Sequence, residues 1–137
     1  MATQKRILVV DDTPENVRLV AMLLKKFGYV VSYALNGHNT LEYVKKHHFD
    51  LILLDVMMPG LSGYEVCEKL KQNRNSRDIP VIFLTARNDS ESITKAFKAG
   101  GVDYITKPFN AEELQVRINT HLKIKEQREE LAQANAA

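Results

Sequence analysis

Asp55 closes the apolar run Leu51-Ile52-Leu53-Leu54 and is followed at once by Val56-Met57-Met58-Pro59-Gly60. A second apolar run, Ile7-Leu8-Val9-Val10, closes the same way in Asp11-Asp12. Acids at the carboxyl ends of buried strands reach the edge where open α/β sheets bind their ligands. Right-handed crossovers would set the first and third strands side by side, so the three carboxylates should converge. Two unit charges about 4 Å apart repel by roughly 4 kcal/mol at an effective dielectric of ~20. Such a cluster calls for a cation. Carboxylate oxygens select a hard divalent ion, and Mg²⁺, which keeps several waters, suits this set better than Ca²⁺ with its tailored loop. Mn²⁺ is a substitute that the same oxygens accept, and the backbone carbonyl of Met57 would complete the donor set.

Two further residues arrive at this edge. Thr85 ends the run Val81-Ile82-Phe83-Leu84, and Lys107 with Pro108 follows the run Asp103–Thr106. Alone, the threonine would be a helix cap and the lysine a solvated charge. Together with the acids they are the parts needed to receive a phosphoryl group. One carboxylate attacks, a metal and an ammonium neutralise the phosphoryl oxygens, and a hydroxyl bonds one of them. The product is an aspartyl phosphate, a mixed anhydride that water can cleave.

The elements that must position these residues alternate. Strand candidates are Arg6–Val10, Tyr29–Ala34, Leu51–Leu54, Val81–Thr85 and Asp103–Thr106. The first, third and fourth are almost wholly apolar, as central parallel strands should be, and the second is mixed enough for an edge. Between them lie helical patterns with start signals: Thr13-Pro14-Glu15, Ser62-x-x-Glu65, Asn88-x-x-Glu91 and Asn110-x-x-Glu113, with Leu41 and Val44 marking a shorter helix. Inward positions are expected at Val17, Val20, Ala21 and Leu24; at Val66, Cys67 and Leu70; at Ile93, Ala96 and Phe97; and at Leu114, Ile118 and Leu122. Five βα units in this length resemble an α/β flavodoxin-like (βα)5 three-layer sandwich with a parallel five-stranded sheet of order 2-1-3-4-5.

The chain has 137 residues and a net charge of +2, which fits one domain with no global drive toward nucleic acid or an acidic membrane. The pattern leaves no room for a DNA-reading module, so direct nucleic-acid contact is not expected. A single cysteine, Cys67, rules out an internal disulfide and fits a reducing compartment. No apolar run approaches membrane-spanning length and no signal peptide is visible, so a cytoplasmic location without membrane contact is expected. The organisation reads as a domain over 1–122 with a helical extension or linker over 123–137. That tail is a solvated helix, a linker to an output domain, or a helix of a homodimer.

Asp11-Asp12, Asp55 before Met57-Met58-Pro59-Gly60, Thr85-Ala86 and Lys107-Pro108-Phe109 together resemble the receiver (CheY-like) domain of bacterial two-component response regulators. The likeness runs from about Arg6 to Leu122. It implies that Asp55 is the phosphoacceptor, supplied by a histidine kinase or a histidine phosphotransfer protein. It further implies that Asp12 and Asp55 hold Mg²⁺ directly, with Asp11 acting through water. Lys107 would bind a phosphoryl oxygen, Thr85 would move toward it, and Tyr104 would be the aromatic switch. The changed surface would be the face of the fourth helix, fifth strand and fifth helix, read by an output domain or protein. Such a chain is not an enzyme beyond catalysing its own phosphorylation and slow dephosphorylation.

Met57 and Arg87, two residues past Asp55 and Thr85, occupy positions that tune dephosphorylation in such domains. An apolar Met57 cannot orient water by a hydrogen bond, which implies slow or moderate autophosphatase activity. Arg87 either lines the water's path or pairs with a nearby acid. The stretch from Asp55 to Leu70 is similar to receivers joined to diguanylate cyclases, histidine kinases or cyclic-dinucleotide enzymes. Two other classes compete. A degenerate receiver would act as a docking module only. A phosphatase of the haloacid-dehalogenase type would need a second acid where Met57 stands, and a cap domain. His38, His47, His48 and His121 lack ligand spacing and read as solvated, as do Lys25-Lys26 and Lys45-Lys46.

Overall fold

The runs that end in acids are buried along their length because both of their faces are covered. In the computed structural model, which describes residues 4–135, β1 (Arg6–Val10), β2 (Val30–Ala34), β3 (Leu51–Leu54), β4 (Val81–Thr85) and β5 (Asp103–Thr106) form one parallel sheet of order β2-β1-β3-β4-β5. The helices are α1 (Pro14–Lys26), α2 (Gly37–Lys46), α3 (Gly63–Gln72), α4 (Ser90–Lys98) and α5 (Ala111–Asn135). Successive strand side chains point to opposite faces. Leu8, Ile52, Leu54 and Phe83 therefore pack toward Val44 of α2, Val66 and Leu70 of α3 and Ala96 of α4. Ile7, Val9, Leu53 and Ile82 pack toward Val17 and Leu24 of α1 and Leu114 and Ile118 of α5. The result is the expected three-layer sandwich. Cys67 fills the first of these cores, and burial pushes its thiol up to about 11.

Register carries the site. Val10 lies opposite Leu54, and the Asp55 amide donates to the Val10 carbonyl at 3.0 Å. Asp11 and Asp55 thus leave the sheet side by side. Helix starts fix the loops beyond. Ser62 and Glu65 form both halves of a capping box, and Asn110 accepts from the Glu113 amide at 2.7 Å.

Several expectations are corrected. Asp89, not Asn88, caps α4, accepting from the Ser92 amide at 3.0 Å. A carboxylate is the stronger acceptor at the positive end of a helix. Thr13 stands at the cap of α1, but its hydroxyl makes no capping bond; its amide donates to Asp11 Oδ1 at 2.9 Å. Phe97 does not face inward and is 49% exposed, because α4 presents Ser92 and Ala96 to the core. Ala21 is only half-buried. Nor are all the histidines solvated: His121, 17% exposed, pairs with Asp103 at 3.0 Å, whereas His48 stays exposed beside Asp50. Asp103 starts β5 and Asp50 immediately precedes β3, both in partly buried surroundings where a carboxylate left without partners is costly.

α5 runs past Leu122 without a break to Asn135. Its Lys125 comes within 3.9 Å of Asp50, and Glu126 lies 3.8 Å from Lys5. No helix among the described residues is long and apolar enough to cross a membrane.

Gly63 opens α3 directly beneath the acid edge. Its amide donates to the Val56 carbonyl at 2.9 Å, and an added Cβ would lie 2.1 Å from the Asp55 carbonyl oxygen. Glycine is needed there for space, since its φ is not positive. Gly63→Ala is expected to cost about 1–3 kcal/mol, the range for overpacking against an unyielding neighbour. Urea titration should show a lower midpoint at an unchanged slope.

Candidate functional site

One carboxylate oxygen from each of Asp11, Asp12 and Asp55 lies within 4.8 Å of the others. Asp11 and Asp55 are buried and Asp12 is exposed. Lys107 reaches in from the end of β5. Its Nζ stands 2.8 Å from Asp11 Oδ2 and 4.0 Å from Asp55 Oδ2. The Lys107 amide donates to the Thr85 carbonyl at 2.8 Å, tying the ends of β4 and β5 together. Thr85 is 1% exposed.

One ammonium faces three carboxylates, so most of the charge is uncompensated. Burial pushes the Asp55 carboxyl above its ordinary range; Lys107 pulls it down and Asp11 pushes it up again. The Thr85 hydroxyl and the Met57 amide lower it further without reversing the direction. A donor set made only of oxygens, gathered this tightly and short of positive charge, fits a hard divalent cation.

The rim is built from Met57 and Arg87. The Met57 side chain is 58% exposed, and its sulfur lies 3.8 Å from Arg87 Nη1. Arg87 Nε lies 3.3 Å from Asp89 Oδ1, so of the two roles open to it from sequence it takes the ion pair with a nearby acid. Tyr104 is buried on β5, its ring 6.3 Å from that of Phe83 and its hydroxyl donating to the Arg87 carbonyl. Burial, the largest effect, pushes that hydroxyl up to about 12.

Asp11, Asp12, Asp55, Thr85 and Lys107 therefore meet at one edge, with Met57 and Arg87 at its rim and Tyr104 one hydrogen bond away. Sequence reasoning passed over Gly63, Asp89, Ser92 and Tyr64. Ser92 Oγ donates to Asp89 at 2.8 Å, and Tyr64 Oη donates to the Ser92 carbonyl at 3.1 Å. The available signal was Asp89 immediately before Ser90, a capping acid one step nearer the helix than Asn88. The group Asp103, Arg117 and His121 was also passed over; Arg117 Nη1 lies 2.7 Å from Asp103 and binds α5 to β5.

Residues 7–119 match the response regulator receiver domain family model, and the chain belongs to that family. It is 38% identical over 133 residues to a "Probable cyclic di-GMP phosphodiesterase" of Vibrio cholerae, covering 97% of this chain and 30% of that protein. It is 42% identical over 118 residues to the transcriptional regulatory protein YrkP of Bacillus subtilis, covering 86% of this chain and 49% of that one. The chain thus spans half or less of these relatives. The receiver domain of the sensor histidine kinase PA1611 from Pseudomonas aeruginosa superposes with a TM-score of 0.83 at 30% identity. That match covers 88% of this chain and 99% of the other, whose structure has a magnesium ion coordinated in the active-site cleft. The chain is thus a receiver domain of the kind found in two-component response regulators.

Because the Asp55 carboxyl is raised, its ionised form disfavours the folded state at neutral pH, and that penalty fades as pH falls through the raised value. Asp55→Asn removes the charge. In chelator the variant should melt above the wild type. Calorimetry should also show the advantage shrinking toward acid pH. Added Mg²⁺ should raise the wild type alone.

Proposed function

We propose that Asp55 is the phosphoacceptor and that Asp11, Asp12, Thr85 and Lys107 serve its chemistry. The observation that carries this reading is the convergence of three carboxylates within 4.8 Å with a lysine ammonium reaching between two of them. Asp12 and Asp55 would hold Mg²⁺ directly and Asp11 through water, with the Met57 carbonyl completing the set. When bound, the ion supplies positive charge for the phosphoryl oxygens, and Mn²⁺ can replace it.

An Asp55 carboxylate oxygen attacks the phosphorus of a phosphohistidine on a histidine kinase or a phosphotransfer protein. The P–N bond breaks, the imidazole leaves with the electron pair, and a P–O bond to Asp55 forms. Lys107 exchanges part of its contact with Asp11 for a phosphoryl oxygen. Thr85 donates its hydroxyl to another oxygen. Charge-assisted hydrogen bonds contribute about 1.5–3 kcal/mol each. Two of them approach the roughly 5.5 kcal/mol needed to invert a two-state equilibrium from 1:99 to 99:1. Tyr104 follows Thr85, and the α4–β5–α5 face carries the signal to an output domain or protein.

The chain performs no chemistry beyond its own phosphorylation and slow dephosphorylation, and it works in the cytoplasm without membrane or direct nucleic-acid contact. Residues 1–122 form the receiver. Residues 123–137 are a helical extension or linker toward an output partner or a second copy of the chain; of these, 136–137 lie outside the described residues, as do 1–3.

Incubation with acetyl phosphate and Mg²⁺ should add one phosphate to the intact mass of the wild type and none to Asp55→Asn. An adduct that survives this substitution, or never forms on the wild type, would overturn the assignment.

Met57, with its apolar side chain, offers no hydrogen bond to an attacking water, and Arg87 turns its Nε toward Asp89. Met57→Asn supplies a polar group there. A hydrogen bond of about 1 kcal/mol made in the transition state should speed loss of the phosphoryl group about fivefold. A decay time course of the phosphorylated protein checks this.

A further inference from the structure

Arg87 touches four parts of the molecule at once. Its amide faces Thr85 Oγ1 at 3.4 Å and its carbonyl accepts the Tyr104 hydroxyl. Its Nε lies 3.3 Å from Asp89 Oδ1, and its Nη1 lies 3.8 Å from Met57 Sδ. The side chain is half-exposed, so the ion pair by itself contributes little to stability. What gives it leverage is that its acidic anchor is fixed and its other contact reaches the Asp55 loop. Asp89 caps α4 through the Ser92 amide and hydroxyl, and those two bonds hold its carboxyl down to about 2. Ser92 is in turn held by Tyr64 of α3. Met57 follows Asp55 by two residues, with its amide turned toward that carboxylate and its side chain exposed. The guanidinium therefore spans from the Asp55 loop to the start of α4, and it belongs to the residue whose carbonyl holds Tyr104.

We propose that Arg87 is a positioning residue. Its side chain, clasped between Met57 and Asp89, sets the β4–α4 loop so that its carbonyl captures Tyr104. The clasp couples the acceptor's loop to the α4–β5–α5 face before any phosphoryl group arrives. It rests on the reading of Asp55 as acceptor and of Tyr104 as the residue that reports on it. Packing of Tyr104 against Phe83 is the competing explanation for its buried position.

Tyrosine nitration by tetranitromethane at neutral pH, mapped by peptide mass spectrometry on the full chain, separates the two. Tyr33, 57% exposed, sets the unprotected rate, and half-buried Tyr29 on the far side of the sheet reports on global opening. Tyr104 should be strongly protected in the wild type. Arg87→Ala should speed its nitration about fivefold, the loss of one hydrogen bond of about 1 kcal/mol, with Tyr29 unchanged. Asp89→Asn keeps an oxygen to cap α4 while removing the ion pair, and should move Tyr104 the same way. Protection of Tyr104 that is unchanged in both variants would assign its position to packing and overturn the clasp. If Arg87→Ala also exposes Tyr29, Asp89→Asn decides alone, in the same two directions. Nitration is read without phosphate. A wild type that never takes up phosphate would therefore remove the receiver chemistry, whereas an unmoved Tyr104 would remove only the clasp.

Discussion

Everything at the acid edge depends on one electrostatic imbalance. Three carboxylates lie within 4.8 Å of one another, two of them buried, and among the described residues Lys107 is the only ammonium placed among them. At that separation a pair of charges repels by about 3.5 kcal/mol at an effective dielectric of ~20, and a single lysine cannot cancel three such terms. The arrangement is tolerable because the strands beneath it are rigid. Ile52, Leu54, Val81 and Phe83 are fully enclosed, and the β1–β3 register leaves Asp11 and Asp55 adjacent with no freedom to separate. The apolar core does more than stabilise the domain: it holds charges together that would otherwise move apart.

The same rigidity explains where adaptation is left. Thr85 ends a strand with its hydroxyl at the site, and the loop that follows it is tied down by side chains rather than by the sheet. Asp89 and Ser92 cap α4, Tyr64 reaches across from α3, and Arg87 spans toward Met57. These are polar contacts made by side chains of a surface loop and a helix start, several of them open to solvent and its screening. Contacts of that kind can be exchanged for phosphoryl contacts without disturbing the core.

Much of this was legible in the sequence, for a definable reason. Apolar runs ending in acids combine a strand signal and a site signal in the same residues. Asp11, Asp12, Asp55, Thr85 and Lys107 could therefore be brought together from strand order alone. Residues whose position depends on the rotation of a short helix were not legible. α4 spans nine residues, and a small rotation decides that Ser92 and Ala96 face the core while Phe97 does not. The choice of Asp89 over Asn88 as cap follows from the same rotation. His121 was misread for another reason. Its partner Asp103 is remote in sequence, and only the packing of α5 on β5 brings the two within 3.0 Å. Spacing rules on a single element do not see such pairs.

Tyr104 shows why the two kinds of information must be joined. Its sequence position suggests a side chain that changes place when Thr85 moves, yet here it is already buried, with its hydroxyl held by the Arg87 carbonyl. A buried tyrosine hydroxyl needs a partner, and that carbonyl is offered by a loop that Met57 and Asp89 grip from either side. The position of Tyr104 is thus set by the state of the loop as much as by Thr85. Met57, two residues after Asp55, touches that same loop through Arg87. The acid edge and the α4–β5–α5 face are connected through Arg87 at the rim of the site, so the resting position of Tyr104 depends on how tightly Arg87 is held.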